Sequence, residues 1–265
     1  MDANSPTPKD PTPESPPPAV RTAAALIIGN ELLTGKIQDA NVAVLAESLF
    51  GLGITFRRVV FCPDEVAVIV DDLNDLRARH DYVFTSGGVG PTHDDVTMEA
   101  VARAFGRRLV RSPEIEALLR EYFGERLHER HLRMAEVPES TVLVHGTRGR
   151  WPTLRIGNVF ILPGLPEIFR RKLPTVCEHL DGGDPFVSRA VGTRCDEGEL
   201  AELLERLSAE HPEVSIGSYP RWADGQPQVV VTFDARSPEP VTAAMTEFLG
   251  AVPSDRILEG VESLR

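Results

Sequence analysis

Cysteine is scarce in this chain of 265 residues: Cys62, Cys177 and Cys195 lie far apart and form no CxxC pair. That spacing speaks against a disulfide framework or a zinc cluster, and buried thiols in a reducing compartment are expected instead. Basic residues are outnumbered, 28 Lys and Arg against 40 Asp and Glu, for a net charge of −12. A general nucleic-acid binder needs clustered cations, so that class is set aside. Long apolar runs are missing too, which removes a membrane span. Residues 2–18 hold seven prolines among polar residues. They have neither the apolar stretch of a signal peptide nor the arginine-rich look of a transit peptide, so residues 1–21 are read as a disordered tail and the protein as cytoplasmic.

The common phosphate-binding motifs are absent as well. Where a dinucleotide fingerprint needs a third glycine, His93 stands. Gly29 and Gly35-Lys36 are separated by five residues instead of four, and Ile37 replaces the Ser or Thr of a P-loop. Ser86 lacks the glycine framing of a nucleophile elbow.

What the chain does have is the run Thr85-Ser86-Gly87-Gly88-Val89-Gly90-Pro91-Thr92-His93-Asp94-Asp95-Val96-Thr97. The apolar Tyr82-Val83-Phe84 enters three glycines, then a proline, then an acidic pair read as opening a helix. Glycines at a strand end let main-chain N–H groups crowd an anion, and a helix N-terminus adds a favourable field. Two carboxylates there would repel a phosphate unless a divalent cation sits between them. The run therefore reads as a site for a phosphorylated small molecule with its metal.

Strand and helix signals alternate around this run. Ala23–Ile28 is a continuous apolar stretch, as in a strand buried on both faces. Val42, Leu45, Ala46 and Leu49 follow helical spacing, and Ile54–Phe61 reads as a second strand. A helix led by Val66, the Tyr82–Thr85 strand and a helix with Met98, Val101, Ala102 and Phe105 complete a β-α-β-α-β-α series. A polar helix is expected from Pro113 to about Arg133, short strands at Thr141–Val144 and Val159–Leu162, and a closing helix over Leu165–Leu180. The expected fold class is α/β, a three-layer α/β/α domain with a mostly parallel sheet over residues 22–182. Asp181-Gly182-Gly183-Asp184-Pro185 marks a boundary. Residues 183–265 read as a small α+β domain of order βαββαβ.

In an open parallel sheet, ligands bind outside the carboxyl ends of the strands. The first three strands deliver Gly29-Asn30-Glu31, Pro63-Asp64-Glu65 and the glycine run with Asp94-Asp95 to that edge. Asp39 and Asn41 can reach it from the start of the first long helix. Both Asp39 and Asp64 have a helix-capping alternative. His93 is either a general acid or a solvent-facing side chain. His128 and His131, three apart, are read as an exposed helix face, and the arginines at 107, 108 and 111 as an anion site or a solvated strand edge.

Gly29-Asn30-Glu31-Leu32-Leu33-Thr34-Gly35, Asp39-Ala40-Asn41 and the Gly87–Thr97 block resemble the MoaB/Mog molybdopterin-binding domain family. The likeness is greatest to the N-terminal domain of competence/damage-inducible protein A and to the corresponding domain of FAD synthases. It continues through Met134-Ala135-Glu136-Val137-Pro138, Leu162-Pro163-Gly164-Leu165-Pro166-Glu167 and Ile216-Gly217-Ser218-Tyr219-Pro220. The resemblance implies that Asp95 and Asp64 match aspartates serving metal-assisted adenylyl chemistry in the molybdopterin proteins, and that the competence-protein branch hydrolyses the phosphoanhydride of ADP-ribose with Mg²⁺, Co²⁺ or a similar ion and K⁺. It also implies a dimer or trimer. No nicotinamide-nucleotide amidase or FAD-synthetase domain is seen, so those activities are not expected. His145-Gly146-Thr147-Arg148-Gly149-Arg150-Trp151-Pro152 departs from the Asn-rich loop of many members, which weakens the expectation of molybdopterin itself. The small domain has no GxxG and holds 7 Lys and Arg against 15 Asp and Glu, so RNA binding is not expected there.

The expected activity is metal-dependent hydrolysis of an ADP-ribose- or FAD-type phosphoanhydride, with non-catalytic binding of a phosphorylated pterin as the alternative. Asp95, Asp64 and His93 are the catalytic candidates, and Asp94, Asp95 and Asp64 the metal ligands. Gly29, Asn30, Glu31, Gly35, Asp39, Asn41, Ser86, Gly87, Gly88, Gly90, Thr97, Pro163 and Gly164 are the substrate-binding candidates.

Overall fold

The structure, a computed structural model, describes residues 20–147, 150–223 and 225–258. Nearly all of the expected tail, and Arg148 and Gly149 of the loop before Trp151, lie outside the described residues.

In the large domain, β1 (Thr22–Ile28) leads through a short helix α1 (Asn30–Leu33) to α2 (Asn41–Gly51). Then come β2 (Thr55–Cys62), α3 (Val66–Arg79), β3 (Tyr82–Ser86) and α4 (Thr97–Ala104). β4 (Leu109–Arg111) pairs with β5 (Glu136–Pro138) in a two-stranded ribbon around α5 (Pro113–Phe123) and α6 (Glu129–Leu132). β6 (Val142–Val144), β7 (Thr153–Ile156), β8 (Val159–Leu162) and α7 (Pro166–Cys177) follow. The main sheet has the order β2-β1-β3-β8-β7-β6, parallel from β2 to β8 and antiparallel beyond.

The period-2 geometry of β1 explains the three layers, because successive side chains enter opposite cores. Ala24, Leu26 and Ile28 pack with Ile69, Leu73 and Val101 from α3 and α4. Ala23, Ala25 and Ile27 pack with Leu45, Leu49, Phe169 and Leu173 from α2 and α7. All six are at most 2% exposed, which is why the strand reads as one unbroken apolar run. The connection from β1 to β2 runs over one face, while α3 and α4 cover the other. The strand order therefore reverses between β1 and β3, and in such sheets ligands bind at the crevice outside the carboxyl ends at that switch point.

The small domain comprises β9 (Val187–Thr193), α8 (Glu197–Glu210), β10 (Ser215–Ala223), β11 (Gln226–Ala235), α9 (Pro238–Ala251) and β12 (Ile257–Leu258). Its antiparallel sheet has the order β10-β11-β9-β12 and its own core around Leu207, Val231, Phe233 and Phe248. It meets the large domain where Gly183 N–H donates to Leu52 O (2.9 Å) and Phe186 stacks on Phe50 at 4.9 Å.

Two expectations need correction, and three short strands were not anticipated. The polar helix does not reach Arg133: Gly124, at φ +51°, ends α5, and short 3₁₀ turns flank α6. A helix does not open at the acidic pair; α4 starts at Thr97, leaving Asp94 and Asp95 in the preceding loop. The three-residue strands β4 and β5 and the four-residue β7 are too short to show a periodicity in the sequence. No helix among the described residues is long and apolar enough to cross a membrane.

Candidate functional site

The glycine turn after β3 is shaped by two close approaches. Gly87 has φ +110°, and a Cβ there would lie 2.1 Å from the Ile28 carbonyl oxygen at the end of β1. Gly88 has φ +63°, and a Cβ there would lie 2.3 Å from Thr97 Oγ1. Only glycine fits at both positions. Thr97 Oγ1 donates to Gly87 O (2.8 Å), and Thr97 N–H donates to Gly88 O (3.0 Å), which locks the turn onto α4. Thr97 is fully buried. The expectation that it contacts a phosphate is thus corrected, since its hydroxyl is spent holding the turn.

The amide cradle is narrower than expected. Gly87 N–H donates to Leu162 O (3.2 Å) and Gly90 N–H to Asp95 Oδ1 (2.6 Å). Among the described residues, the N–H groups of Gly88 and Val89 have no such partner. Asp95 acts as an internal anion in this loop. Its Oδ2 also accepts from Thr92 N–H (2.8 Å) and from the Thr92 hydroxyl. These bonds give Asp95, expected from the sequence to be a catalytic residue and metal ligand, a loop-closing role.

A second set of polar groups braces the crevice from beneath. Asn41, 3% exposed at the start of α2, donates through Nδ2 to Ser86 Oγ (3.0 Å) and Gly164 O (2.8 Å). Gly164 is pressed against Gly87: a Cβ there would lie 3.2 Å from Gly87 Cα. Ser86 Oγ reaches toward Pro163 O at 3.5 Å. Asn41, Ser86, Pro163 and Gly164 thereby tie the ends of β3 and β8 to α2. Asp39 Oδ1 accepts from Asn41 N–H (3.1 Å) and Val42 N–H (2.8 Å), so that oxygen caps α2.

Across the crevice, Gly29 N–H donates to Cys62 O (3.1 Å), joining the ends of β1 and β2. Asn30 N–H donates to Asp64 Oδ2 (2.8 Å), and the Glu31 carboxylate folds back over Gly29. Gly35, at φ +70° with open space around it, turns the chain after α1. Burial pushes the Asp64 carboxyl above its ordinary range, and the negative charges of Glu31, Asp94 and Asp95 add to that rise against the Asn30 N–H. Asp64 is therefore where the carboxylates of three strand ends are felt together. Asp94 is exposed and held below the usual carboxylate range by hydrogen bonding from Thr92. His93, 97% exposed, lies 3.8 Å from Asp94.

Among the described residues, no three His, Cys, Asp or Glu side chains form a metal-binding cluster. Asp64, Glu31 and Asp94 each offer oxygen donors, the kind a hard cation takes. Magnesium commonly takes one or two protein carboxylates and fills its shell with water and substrate phosphates, so no protein cage is required.

The remaining candidates lie apart from this crevice. His131 stacks on Phe123 at 3.9 Å, with Nδ1 3.1 Å from His128 N–H, which occupies the pair structurally. Arg108 pairs with Glu139 and Arg111 with Glu116, Glu129 and Glu136. The sequence reading missed Thr92 and Lys172. The available signal for Lys172 was rarity, since it is one of three lysines among 28 basic residues.

A glycine turn and converging carboxylates at the switch point of a three-layer sheet, followed by a small α+β unit, define a class of α/β domain. Residues 24–181 match the family described as "Probable molybdopterin binding domain", and residues 185–261 match "FAD synthase, middle domain". The chain belongs to the MoaB/Mog molybdopterin-binding domain family and carries the FAD synthase middle domain after it.

Relatives are similar to this chain over much of its length. A protein of Archaeoglobus fulgidus is 31% identical over 83% of this chain and 93% of its own length. A "Probable FAD synthase" of Caenorhabditis elegans is 30% identical over 86% of this chain, which spans only 49% of that relative. The crystal structure of CinA from Thermoplasma acidophilum, described as of unknown function, superposes with a TM-score of 0.56 at 29% identity. It covers 60% of this chain and 98% of its own.

Proposed function

We propose that the chain hydrolyses a phosphoanhydride in a nucleotide-diphosphate compound of the ADP-ribose or FAD type, with a divalent metal. The observation that carries this reading is the Asp64 carboxyl, raised by burial and by three neighbouring carboxylates at the lip of the glycine turn. Such a concentration of negative charge beside free amides suits a cation and a phosphate arriving together.

In this reading Gly88 and Val89 N–H groups hold the diphosphate, and Asp64 and Asp94 hold the metal. When bound, the ion neutralises phosphate charge and makes water a better nucleophile. Asp95 keeps the loop closed so that the two free amides stay aimed at the crevice. Glu31, lying over Gly29, and His93, beside Asp94, are the groups placed to take up or return a proton. Gly29, Asn30 and the free Oδ2 of Asp39 line the same edge.

A second reading, binding of a phosphorylated pterin without turnover, is favoured by the engagement of Asp95 with Gly90 and Thr92. Incubation with Mg²⁺ or Co²⁺, with and without K⁺, and with ADP-ribose, FAD, NAD or coenzyme A separates the two. AMP release from ADP-ribose or FAD is expected. Absence of AMP, and of 3′,5′-ADP from coenzyme A, with every metal replaces the first reading by the second.

A further inference from the structure

A cavity of about 170 Å³ opens beside the glycine turn. Val89, which carries one of the two free amides, and Pro163, which follows β8, are among its lining residues. Met98, Met134 and Trp151 are among its apolar walls, and Lys172 is the only charged residue lining it among the described residues. A cavity of about 150 Å³ accepts benzene, so this space suits one ring or a fused pair. Methionine sulfur and an indole face offer polarisable surface to a flat ring.

Lys172 is the one polar feature that distinguishes this cavity from an apolar void among the described residues. Its Nζ donates to the carbonyl oxygens of Trp151 and Pro152, which uses two of its three donors. Burial lowers its pKa to about 8, and no carboxylate contributes to that shift. A cation among apolar side chains with one donor left needs an acceptor from whatever enters.

We propose that this cavity is the subsite for the heteroaromatic base of a nucleotide, with Lys172 donating to an acceptor atom on the edge of the ring. The assignment rests on the phosphate reading above for where the rest of the nucleotide lies. It goes beyond that reading in naming which part of the substrate is recognised and by what.

The protein has two tryptophans, and Trp222 is 74% exposed in the small domain. A Trp222→Phe variant therefore makes Trp151 the sole indole reporter. With Mg²⁺ present, AMP and ADP should quench its fluorescence saturably, whereas ribose 5-phosphate and pyrophosphate should not. Lys172→Met should weaken AMP and ADP by roughly tenfold or more, the worth of a charged hydrogen bond, and leave pyrophosphate affinity by calorimetry unchanged. Thermal melting of Lys172→Met establishes that the variant is folded.

Equal affinity for ADP and pyrophosphate, or an unaltered ADP affinity in folded Lys172→Met, overturns the subsite while leaving the phosphate reading standing. Saturable quenching by AMP with no pyrophosphate binding keeps the subsite and overturns the phosphate reading.

Discussion

The two ends of the main sheet treat the same side chain in opposite ways. At the amino edge, Asp81 precedes β3. Partial burial would raise its carboxyl, but Thr22 N–H (2.8 Å), the Arg21 guanidinium (2.9 Å) and the Thr22 hydroxyl (2.9 Å) together bring it below its ordinary range. At the carboxyl edge, Asp64 follows β2 with a single N–H donor and three carboxylates for neighbours, and its carboxyl is raised. One end is electrostatically satisfied and contributes stability. The other holds uncompensated negative charge, which costs stability and leaves the edge ready for a cation. Satisfied and unsatisfied carboxylates are thus divided between opposite rims of one sheet.

The severest way to break this comparison is to remove the carboxylate from the functional rim. Asp64→Ala should lower AMP release by roughly 10²–10³-fold, the range seen when one charge-stabilising group is deleted, with the circular dichroism spectrum unchanged. Turnover at the wild-type rate would show that the raised carboxyl has no part in the chemistry.

Next in size is the backbone of the glycine turn. Gly87→Ala places a Cβ against the Ile28 carbonyl at a positive φ, while Gly35→Ala meets the φ penalty in open space. Gly87→Ala should cost about 1–3 kcal/mol or more and abolish nucleotide binding; Gly35→Ala should cost about 1 kcal/mol. Denaturant melts of the two variants test the difference.

Lys172 repeats the pattern of uncompensated charge with the opposite sign. Its pKa of about 8 lies below that of a lysine in the unfolded chain, so the unfolded state binds the extra proton between those two values. Folding stability should therefore rise with pH from about 8 to beyond 10, and the burial cost is fully present at neutral pH. Lys172→Met should be more stable than wild type at pH 7 by on the order of 1–3 kcal/mol, with the gap closing as pH rises. Urea melts across that range supply the check.

The smallest effects compare the two aspartates directly. Asp64→Asn should raise the melting temperature slightly at neutral pH, and that advantage should vanish in acid, where wild-type Asp64 is protonated in both states. Asp81→Asn should lower it slightly at neutral pH, because the stability from a depressed carboxyl is lost as pH falls through its folded pKa. Shifts of the same sign for the two variants would erase the contrast between the rims.

Much of the fold was legible because its signals are local. The unbroken apolar run of β1, the helical spacing of Val42 to Leu49 and the order of the small domain all came from side-chain periodicity. The convergence of Gly29-Asn30-Glu31, Asp64 and the glycine turn followed from topology, since strand ends in a parallel sheet gather at one rim. What the sequence could not show was how each polar atom is spent. Asp95 and Asp64 look alike in the chain, yet one is saturated by Gly90 and Thr92 and the other is nearly bare. Thr97 and Gly90 were assigned to a ligand because their engagement depends on a loop closing back on itself. The apolar cavity, built from α4, α5, β7, β8 and α7, has no linear signature at all.

The reversal of strand order between β1 and β3 has a lasting consequence. The gap at that place is a product of the path taken by the main chain, with helices diverging to either side, and owes nothing to any single side chain. Amino-acid exchange along its lips can therefore alter which molecule is held, or whether it is cut, without closing the gap. An ancestor with this chain path would have offered its descendants a ready-made berth whose furnishings were free to change.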